Sequence, residues 1–406
     1  MTSRPEVVIT GRGMVTPAGI GVDDNWKRVC SGEPTAVLGP DLGLLGIQVI
    51  CPVTDFDGRM LLGHGARRLD RYSQMGLVAA EEAVQDAGLR SDEWDGTRVA
   101  VVMGVSVGGV ETLMAQHVAF LNRGPAAISP LTMPMSLVNM VSGQLAIHLR
   151  ATGPNLTVST ACASGATAIG TARQLLQADA CDIAIAGASD ASLVPLILSA
   201  FARMGALTKQ SADPVRASRP FDRDRDGFVA AEGAAVVVME RESDARARRA
   251  FIRSRVLGYG ASADAHHITS PRPEGTGARA AIAAALGDAG LVPADVDHLN
   301  AHGTSTRLND QAEAKAVGAV FGDGVTVSST KGVTGHLLAA AGAAEAVYTS
   351  LSIEHGMIPP TANLENIDPE IDLDLASVSR RQSIGVAMST SFGFGGQNAA
   401  LLIGAP

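Results

Sequence analysis

Large rings are scarce in this 406-residue chain, which holds 9 Phe, 3 Tyr and 2 Trp. A core built on aromatic stacking is therefore excluded. Cysteine is equally sparse: Cys30, Cys51, Cys162 and Cys181 show neither paired nor metal-ligand spacing, and no Cys-x-x-Cys or His-Glu-x-x-His motif occurs, so a disulfide framework and motif-based metal chemistry are both disfavoured. Long apolar runs are missing; Ala234–Met239 falls far short of a membrane span. Charged residues make up 18%, and the net charge is −9, an acidic balance that argues against bulk nucleic-acid binding. The opening Met1-Thr-Ser-Arg-Pro has no apolar signal region, so the expected setting is a reducing cytoplasm with free thiols.

What the chain has instead is small residues. Gly numbers 45 and hydrophobic residues reach 46%, enough for a sizeable core. Backbones flanked by Gly and Ala approach closely, which predicts tightly layered strands and helices. The length predicts two or three domains or one large pseudo-repeat.

Short β-branched runs alternate with Ala/Leu-rich helical stretches, the α/β pattern. Val7–Thr10, Val99–Met103, Thr157–Thr160, Ile183–Ala186 and Ala234–Glu240 read as strands; a second set is Ile252–Tyr259, His298–Ala301, Val325–Thr330 and Gly385–Ser389. Helical spacing marks Gln74–Gly88, Ala163–Gln177, Gly277–Gly290, Asp310–Phe321 and Leu337–His355. Two segments share one grammar of strand, sharp turn and small-residue helix: Val158-Ser-Thr-Ala-Cys-Ala-Ser-Gly and Val327-Ser-Ser-Thr-Lys-Gly-Val-Thr-Gly-His. The repeat predicts two similar halves, 1–250 and 251–406, bringing both turns to one site, with Arg241–Arg249 as a solvated helix between them.

Cys162 follows a strand and opens a helix, where free N–H groups and the helix dipole favour a thiolate. Cys181, inside a strand, reads as a buried structural thiol. His302 and His336 occupy comparable strand-to-helix turns. Any one such group is readily structural; three at glycine-flanked turns point to acyl-transfer chemistry. Gly393-Phe-Gly-Gly396 reads either as a simple strand connection or as a turn whose N–H groups face an oxyanion, with Phe392 and Phe394 as apolar gates. Gly104-Val-Ser106-Val-Gly108 fits the elbow of serine hydrolases, but no His-Gly-Gly-Gly-type loop precedes it. Gly11-Arg-Gly13 begins a dinucleotide fingerprint and lacks its third glycine.

Thr160-Ala-Cys-Ala-Ser-Gly165, Ala301-His-Gly-Thr-Ser-Thr306, Ser328-Ser-Thr-Lys-Gly-Val-Thr-Gly-His336 and Ser391-Phe-Gly-Phe-Gly-Gly396 resemble, in order and spacing, the motifs of the elongating β-ketoacyl-[acyl-carrier-protein] synthases of fatty acid and type II polyketide synthesis. Val8–Pro17, Arg219–Phe228 and Pro359–Leu364 extend the resemblance over nearly the whole chain. It implies a thiolase-like fold in αβαβα layers, a dimer with itself or with a related chain, and no cofactor or metal. It also implies that Cys162 takes an acyl group from acyl carrier protein or coenzyme A and that malonyl-carrier protein then decarboxylates and attacks the thioester. His302 and His336 would stabilise the charge formed on decarboxylation, with the proton role open between them. The backbone N–H groups of Cys162 and Phe394 would hold the other oxyanion, and Lys331 would anchor the site through Glu313.

For the acyl pocket the resemblance points to Val107, Thr132 and Phe201, with small side chains leaving room for a medium to long chain. Arg307 and Gly332-Val333 depart from the family pattern without touching a reacting group. Carrier proteins are acidic, so Arg67, Arg68, Arg71, Arg203 and Lys209 are the expected docking cations. A non-catalytic, chain-length-determining partner subunit is the alternative reading, and Cys162 speaks against it.

Overall fold

The computed structural model describes residues 4–406. The strands that run across its large sheet are β1 (Val7–Thr16), β2 (Val99–Gly104), β3 (Asn155–Val158), β4 (Ile183–Asp190), β5 (Gly233–Arg241), β6 (Ser254–Ala263), β7 (His298–Asn300), β8 (Thr326–Ser328), β9 (Asp374–Leu375), β10 (Val386–Gly393) and β11 (Gln397–Gly404). They lie side by side in the order β9-β8-β7-β10-β11-β6-β1-β5-β4-β2-β3. Outward from the middle, β1-β5-β4-β2-β3 and β6-β11-β10-β7-β8 follow the same succession. In each run the first two pairings are antiparallel and the last two parallel. The runs meet through only two residue pairs, Val8 with Arg255 and Ile9 with Ser254.

Helices α1 (Arg71–Asp86), α2 (Val110–Arg123), α3 (Thr132–Ser136), α4 (Ser164–Gln177), α5 (Thr276–Ala289), α6 (Arg307–Phe321) and α7 (Ala341–His355) complete the layers. Helix α1 covers β1 and β5, α5 covers β6 and β11, and α4 and α7 lie together in the central core between the two runs of strands. This is the expected αβαβα layering. Among the described residues no helix is long and apolar enough to cross a membrane.

Small residues set the layer spacing. A Cβ at Gly11 or Gly13 would stand 2.0 or 1.9 Å from the carbonyl oxygens of Ala83 and Ala79 in α1. At Gly258 and Gly260 it would stand 2.4 and 2.1 Å from those of Ala285 and Ala281 in α5. These glycines are thus strand positions over which a helix backbone passes, not turns. That is why β1 runs on through Gly11-Arg-Gly13 and β6 runs on to Ala263, past its expected end at Tyr259. In the centre, Gly165 of α4 faces Ala343 of α7, and Gly342 of α7 faces Ala166 of α4.

Helix ends differ from expectation where a cap decides them. Asp70 accepts the N–H of Tyr72 and starts α1 at Arg71, and Thr306 accepts the N–H of Asn309 and starts α6 at Arg307 rather than Asp310. Leu338 has φ 52°, outside the α region, so α7 begins only at Ala341, after a single tight turn.

Candidate active site

Three strand-to-helix connections converge on one cavity. The first runs from β3 through a tight turn, Ala161–Ala163, into α4 and carries Cys162. Ala161 is held at φ 49°, an unfavourable value for a residue with a Cβ, and this turns Cys162 toward the cavity. Gly393 of β10 presses on the same turn, and a Cβ there would lie 2.5 Å from the Thr160 carbonyl oxygen.

The second connection leaves β7 with His302. Glu313 of α6 fixes it: its carboxylate accepts the N–H groups of His302 (2.8 Å) and Gly303 (2.7 Å) and the Thr390 hydroxyl (2.8 Å). Ser305, three residues on, has φ 69°. The third leaves β8, passes Lys331 in a one-turn helix and reaches His336, whose N–H donates to the Val229 carbonyl at 2.8 Å.

Cys162, His302 and His336 each place a sulfur or ring nitrogen within 4.8 Å of the others. The two imidazoles meet edge to face at 5.2 Å between ring centres. Both are buried, at 1% and 3% exposure, and burial, reinforced by the charge of Lys331, holds both well below the usual histidine range. They are neutral at physiological pH. The Phe394 and Cys162 backbones donate toward the sulfur and favour its anion.

Burial nevertheless dominates at the sulfur and pushes the Cys162 thiol up to about 11. The thiolate favoured from its place at a helix start is therefore not the resting form. The start of α4 offers a dipole, but the apolar surroundings penalise the charge more strongly.

Lys331 is held by Glu345 of α7, not by Glu313 as expected. Its Nζ also lies 3.4 Å from His302 Nδ1. Glu313 instead braces the backbone of the His302 turn. Burial raises both carboxyls to about 7, against the stabilising pull of N–H donors at Glu313 and of Lys331 at Glu345. The sequence carried a signal for Glu345 in that it is the lone carboxylate in the Ala/Gly run 337–346.

The cavity, about 760 Å³, is lined mainly by apolar surface, with Val107, Phe201, Phe392 and Phe394 among its walls. Phe201 packs edge-on against Phe228 at 5.4 Å, and Phe228 against His336 at the same distance. Thr132 does not line it; its hydroxyl donates to the Ser129 carbonyl within the α3 turn. Ser106 does line it, but donates to the buried carboxylate of Asp190 with no histidine between them. The hydrolase elbow thus lacks its base. The Cys-His-His donor set could also hold a thiophilic cation, a juxtaposition that sequence spacing alone did not reveal.

Of the expected docking cations, Arg67, Arg68, Arg203 and Lys209 are exposed. Arg71 is not available: it turns inward to pair with Glu232 at 2.7 Å, donates to the Val53 carbonyl, and lies over the Phe56 ring.

Residues 4–245 match the family described as "Beta-ketoacyl synthase, N-terminal domain", and residues 253–365 match "Beta-ketoacyl synthase, C-terminal domain". The chain is similar to the 3-oxoacyl-[acyl-carrier-protein] synthase 2 of Synechocystis sp., at 42% identity over 98% of this chain and 97% of the relative. It is also similar to the enzyme of the same name from Staphylococcus aureus, at 40% identity over 99% of both chains. Among solved structures it resembles "The ishigamide ketosynthase/chain length factor" (TM-score 0.93, 33% identity, 100% of both chains). It likewise resembles a β-ketoacyl synthase from Burkholderia phymatum (TM-score 0.92, 30% identity, covering 99% of this chain and 100% of the other).

Proposed function

The chain belongs to the β-ketoacyl synthase family, and from that membership we propose that it elongates an acyl chain by decarboxylative Claisen condensation with malonyl-acyl carrier protein, giving a 3-oxoacyl-acyl carrier protein. The observation that carries the reading is the meeting of Cys162 with two neutral imidazoles and two backbone donors in an apolar cavity.

The residues divide the work in two steps. In the first, Cys162 loses its proton and its sulfur attacks the acyl thioester carbonyl. The oxyanion forms against the N–H groups of Cys162 and Phe394, and the carrier thiolate departs and takes up a proton. An imidazole in its neutral form is able to accept the cysteine proton, which a thiol raised to about 11 requires. In the second step the malonyl carboxylate leaves as CO2, and its bonding electrons pass to the α-carbon and the thioester oxygen. His302 and His336 donate to that enolate oxygen. The carbanion then attacks the acyl-Cys162 carbonyl, the 3-oxo chain forms on the carrier, and the Cys162 sulfur leaves and is reprotonated. Lys331, held by Glu345 and facing His302 Nδ1, keeps the imidazole unprotonated and oriented. Phe392, edge-on to His302 at 5.7 Å, and Phe394 close the apolar side.

The halves 1–250 and 251–406 are part of this proposal, supported by the matching strand succession on either side of the β1–β6 contact. So is a dimer, with a second copy or a related chain, in the cytoplasm. It is supported by the open edge of β3, where Leu156 on the strand and Ile147 on the adjoining helix Met140–His148 are exposed, and by the further exposed apolar side chains Val118, Phe120, Leu121 and Met133. One related solved structure is "AntDE:AntF (apo): type II PKS acyl-carrier protein in complex with its ketosynthase bound to the hexaketide" (TM-score 0.90, 31% identity). By that analogy an acyl carrier protein docks on this chain, with the exposed cations Arg67, Arg68, Arg203 and Lys209 as its proposed contacts. A purely chain-length-setting role is less supported, because Cys162 and both histidines are in place.

Intact-mass measurement after incubation with a panel of acyl-carrier proteins tests the reading. An adduct of acyl mass is expected on the unaltered protein and not on Cys162→Ala. His302→Ala and His336→Ala should still acylate but release little CO2 from malonyl-carrier protein. An adduct that persists in Cys162→Ala would remove the nucleophile.

A further inference from the structure

The cavity wall is graded from a buried floor to an open mouth. His302 and His336 are buried at its floor, whereas Ile268 and Leu308 at its other end are 78% and 60% exposed. Arg307 stands at that mouth and is, among the described residues, the only lysine or arginine lining the cavity. The two acids of the wall are engaged elsewhere: Asp226 accepts from Thr208 and from the Lys209 N–H, and Asp264 from Asn398 and the Arg272 N–H.

Arg307 is also held in place. Its Nε donates to the Arg225 carbonyl at 3.3 Å, and the two terminal nitrogens of the guanidinium have no hydrogen-bond partner among the described residues. The backbone beneath it is clamped in return, since Arg225 donates to the carbonyls of Thr306 and Arg307, each at 3.4 Å. Arg225 is itself fully buried and paired with Asp310 at 3.2 Å and Asp368 at 2.7 Å. No acidic side chain forms a salt bridge with Arg307 among the described residues. A guanidinium anchored through Nε and open at its terminal nitrogens is suited to two parallel hydrogen bonds to a phosphate.

We propose that Arg307 reads the phosphate of the substrate's pantetheine arm, gripping it at the cavity mouth while the thioester end reaches Cys162. This rests on the carrier-linked substrate of the proposed function. It makes Arg307 a specificity residue that acts on the arm and not on the acyl chain. The source committed to is the phosphodiester that joins the arm to a carrier protein; the phosphates of coenzyme A offer the same chemistry.

Three thioesters of one acyl group test it on the full chain: acyl-pantetheine, acyl-4′-phosphopantetheine and acyl-coenzyme A, with acylation of Cys162 followed by intact mass. The unaltered protein should prefer the phosphorylated forms over acyl-pantetheine by about five- to tenfold in kcat/KM, through KM, and the preference should shrink as salt is raised. Arg307→Gln should abolish the preference and Arg307→Lys should restore part of it. With acyl-carrier protein, Arg307→Gln should raise KM while kcat stays within about twofold, an effect that a merely structural role would not separate. A preference retained in Arg307→Gln, or an equal loss with all three thioesters, overturns the assignment. A preference for acyl-coenzyme A alone overturns the carrier phosphodiester as the source. If the unaltered protein is acylated without any preference, the phosphate assignment falls and the condensing function stands. If Cys162 is not acylated at all, both fall.

Discussion

Replacing Gly165 by alanine puts the smallest side chain at the closest approach of the two central helices. Its Cβ would lie 2.4 Å from the Ala343 backbone nitrogen and 3.0 Å from the Ala339 carbonyl oxygen. An ordinary contact needs about 1 Å more, and because the obstacle is backbone, α4 and α7 must move apart as bodies. Overpacking of this kind costs roughly 1–3 kcal/mol. With an unfolding entropy of about 2.1 cal/mol/K per residue, a chain of 406 residues loses about 0.85 kcal/mol per degree, so Tm should fall by roughly 1–4 °C. The loss of activity should be larger in proportion. Helix α4 begins two residues after Cys162 and α7 follows the His336 turn, so a 1 Å separation is felt between nucleophile and imidazole, where it is worth on the order of 100-fold in rate. The control is Gly318→Ala on α6, where nothing lies within 4 Å of the added carbon; it should gain up to about 1 kcal/mol of helix propensity and keep full activity. Thermal unfolding and the rate of 3-oxoacyl product formation are the two readouts. If Gly165→Ala condenses at the normal rate, the idea that the two helices set the distance between the reacting groups is wrong.

Other consequences can be measured directly. Because burial holds the Cys162 thiol at about 11, alkylation by iodoacetamide should rise about tenfold per pH unit from 7 to 9; a plateau by pH 8 would show that the helix start governs the thiol after all. His298 lies buried beside Ser328 with its protonation pushed down to about 3 by burial. Its folded value is depressed, so its contribution is present above pH 6.5 and is lost as the pH falls toward 3. His298→Gln should therefore flatten the acid limb of stability by up to about 1.4 kcal/mol per pH unit, and an unchanged limb would refute this. Val107→Trp fills the cavity wall and should lower the longest acyl mass that Cys162 accepts; an unaltered panel of adducts would take Val107 out of the acyl path.

The features legible in the sequence are those encoded over a few residues. Each reactive side chain sits in its own strand-to-helix turn, so Cys162, His302 and His336 stood out singly, and the shared grammar of two turns predicted their convergence. Pairings over longer distances were hidden. Glu313 and Glu345 lie at similar distances from Lys331 along the chain, and only the folded structure, which turns Glu345 of α7 onto the Lys331 ammonium and Glu313 onto the His302 turn, decides for Glu345. Arg71 sits in the same basic cluster as Arg67 and Arg68, yet it meets an acid 161 residues away. The strand read as Val7–Thr10 stopped short of Gly11 and Gly13 because sequence alone does not reveal that a helix backbone lies across them. The thiolate expectation failed because it counted the helix start and could not count the apolar walls.

The three turns that carry chemistry each contain a non-glycine residue at positive φ: Ala161 at 49°, Ser305 at 69° and Leu338 at 52°. Each such residue holds strain on the order of 1–3 kcal/mol. Glycine at Ala161 would relieve it for the loss of one methyl group, whereas at Ser305 it would also remove the buried hydroxyl that accepts the Arg219 N–H, and at Leu338 a buried core side chain, so a search for heat-resistant variants of this chain will be drawn to Ala161. The variant it returns should survive heating better and turn over more slowly, because the relieved turn no longer forces Cys162 to face His302 and His336. Thermal robustness and turnover are therefore opposed in this chain at one identifiable position.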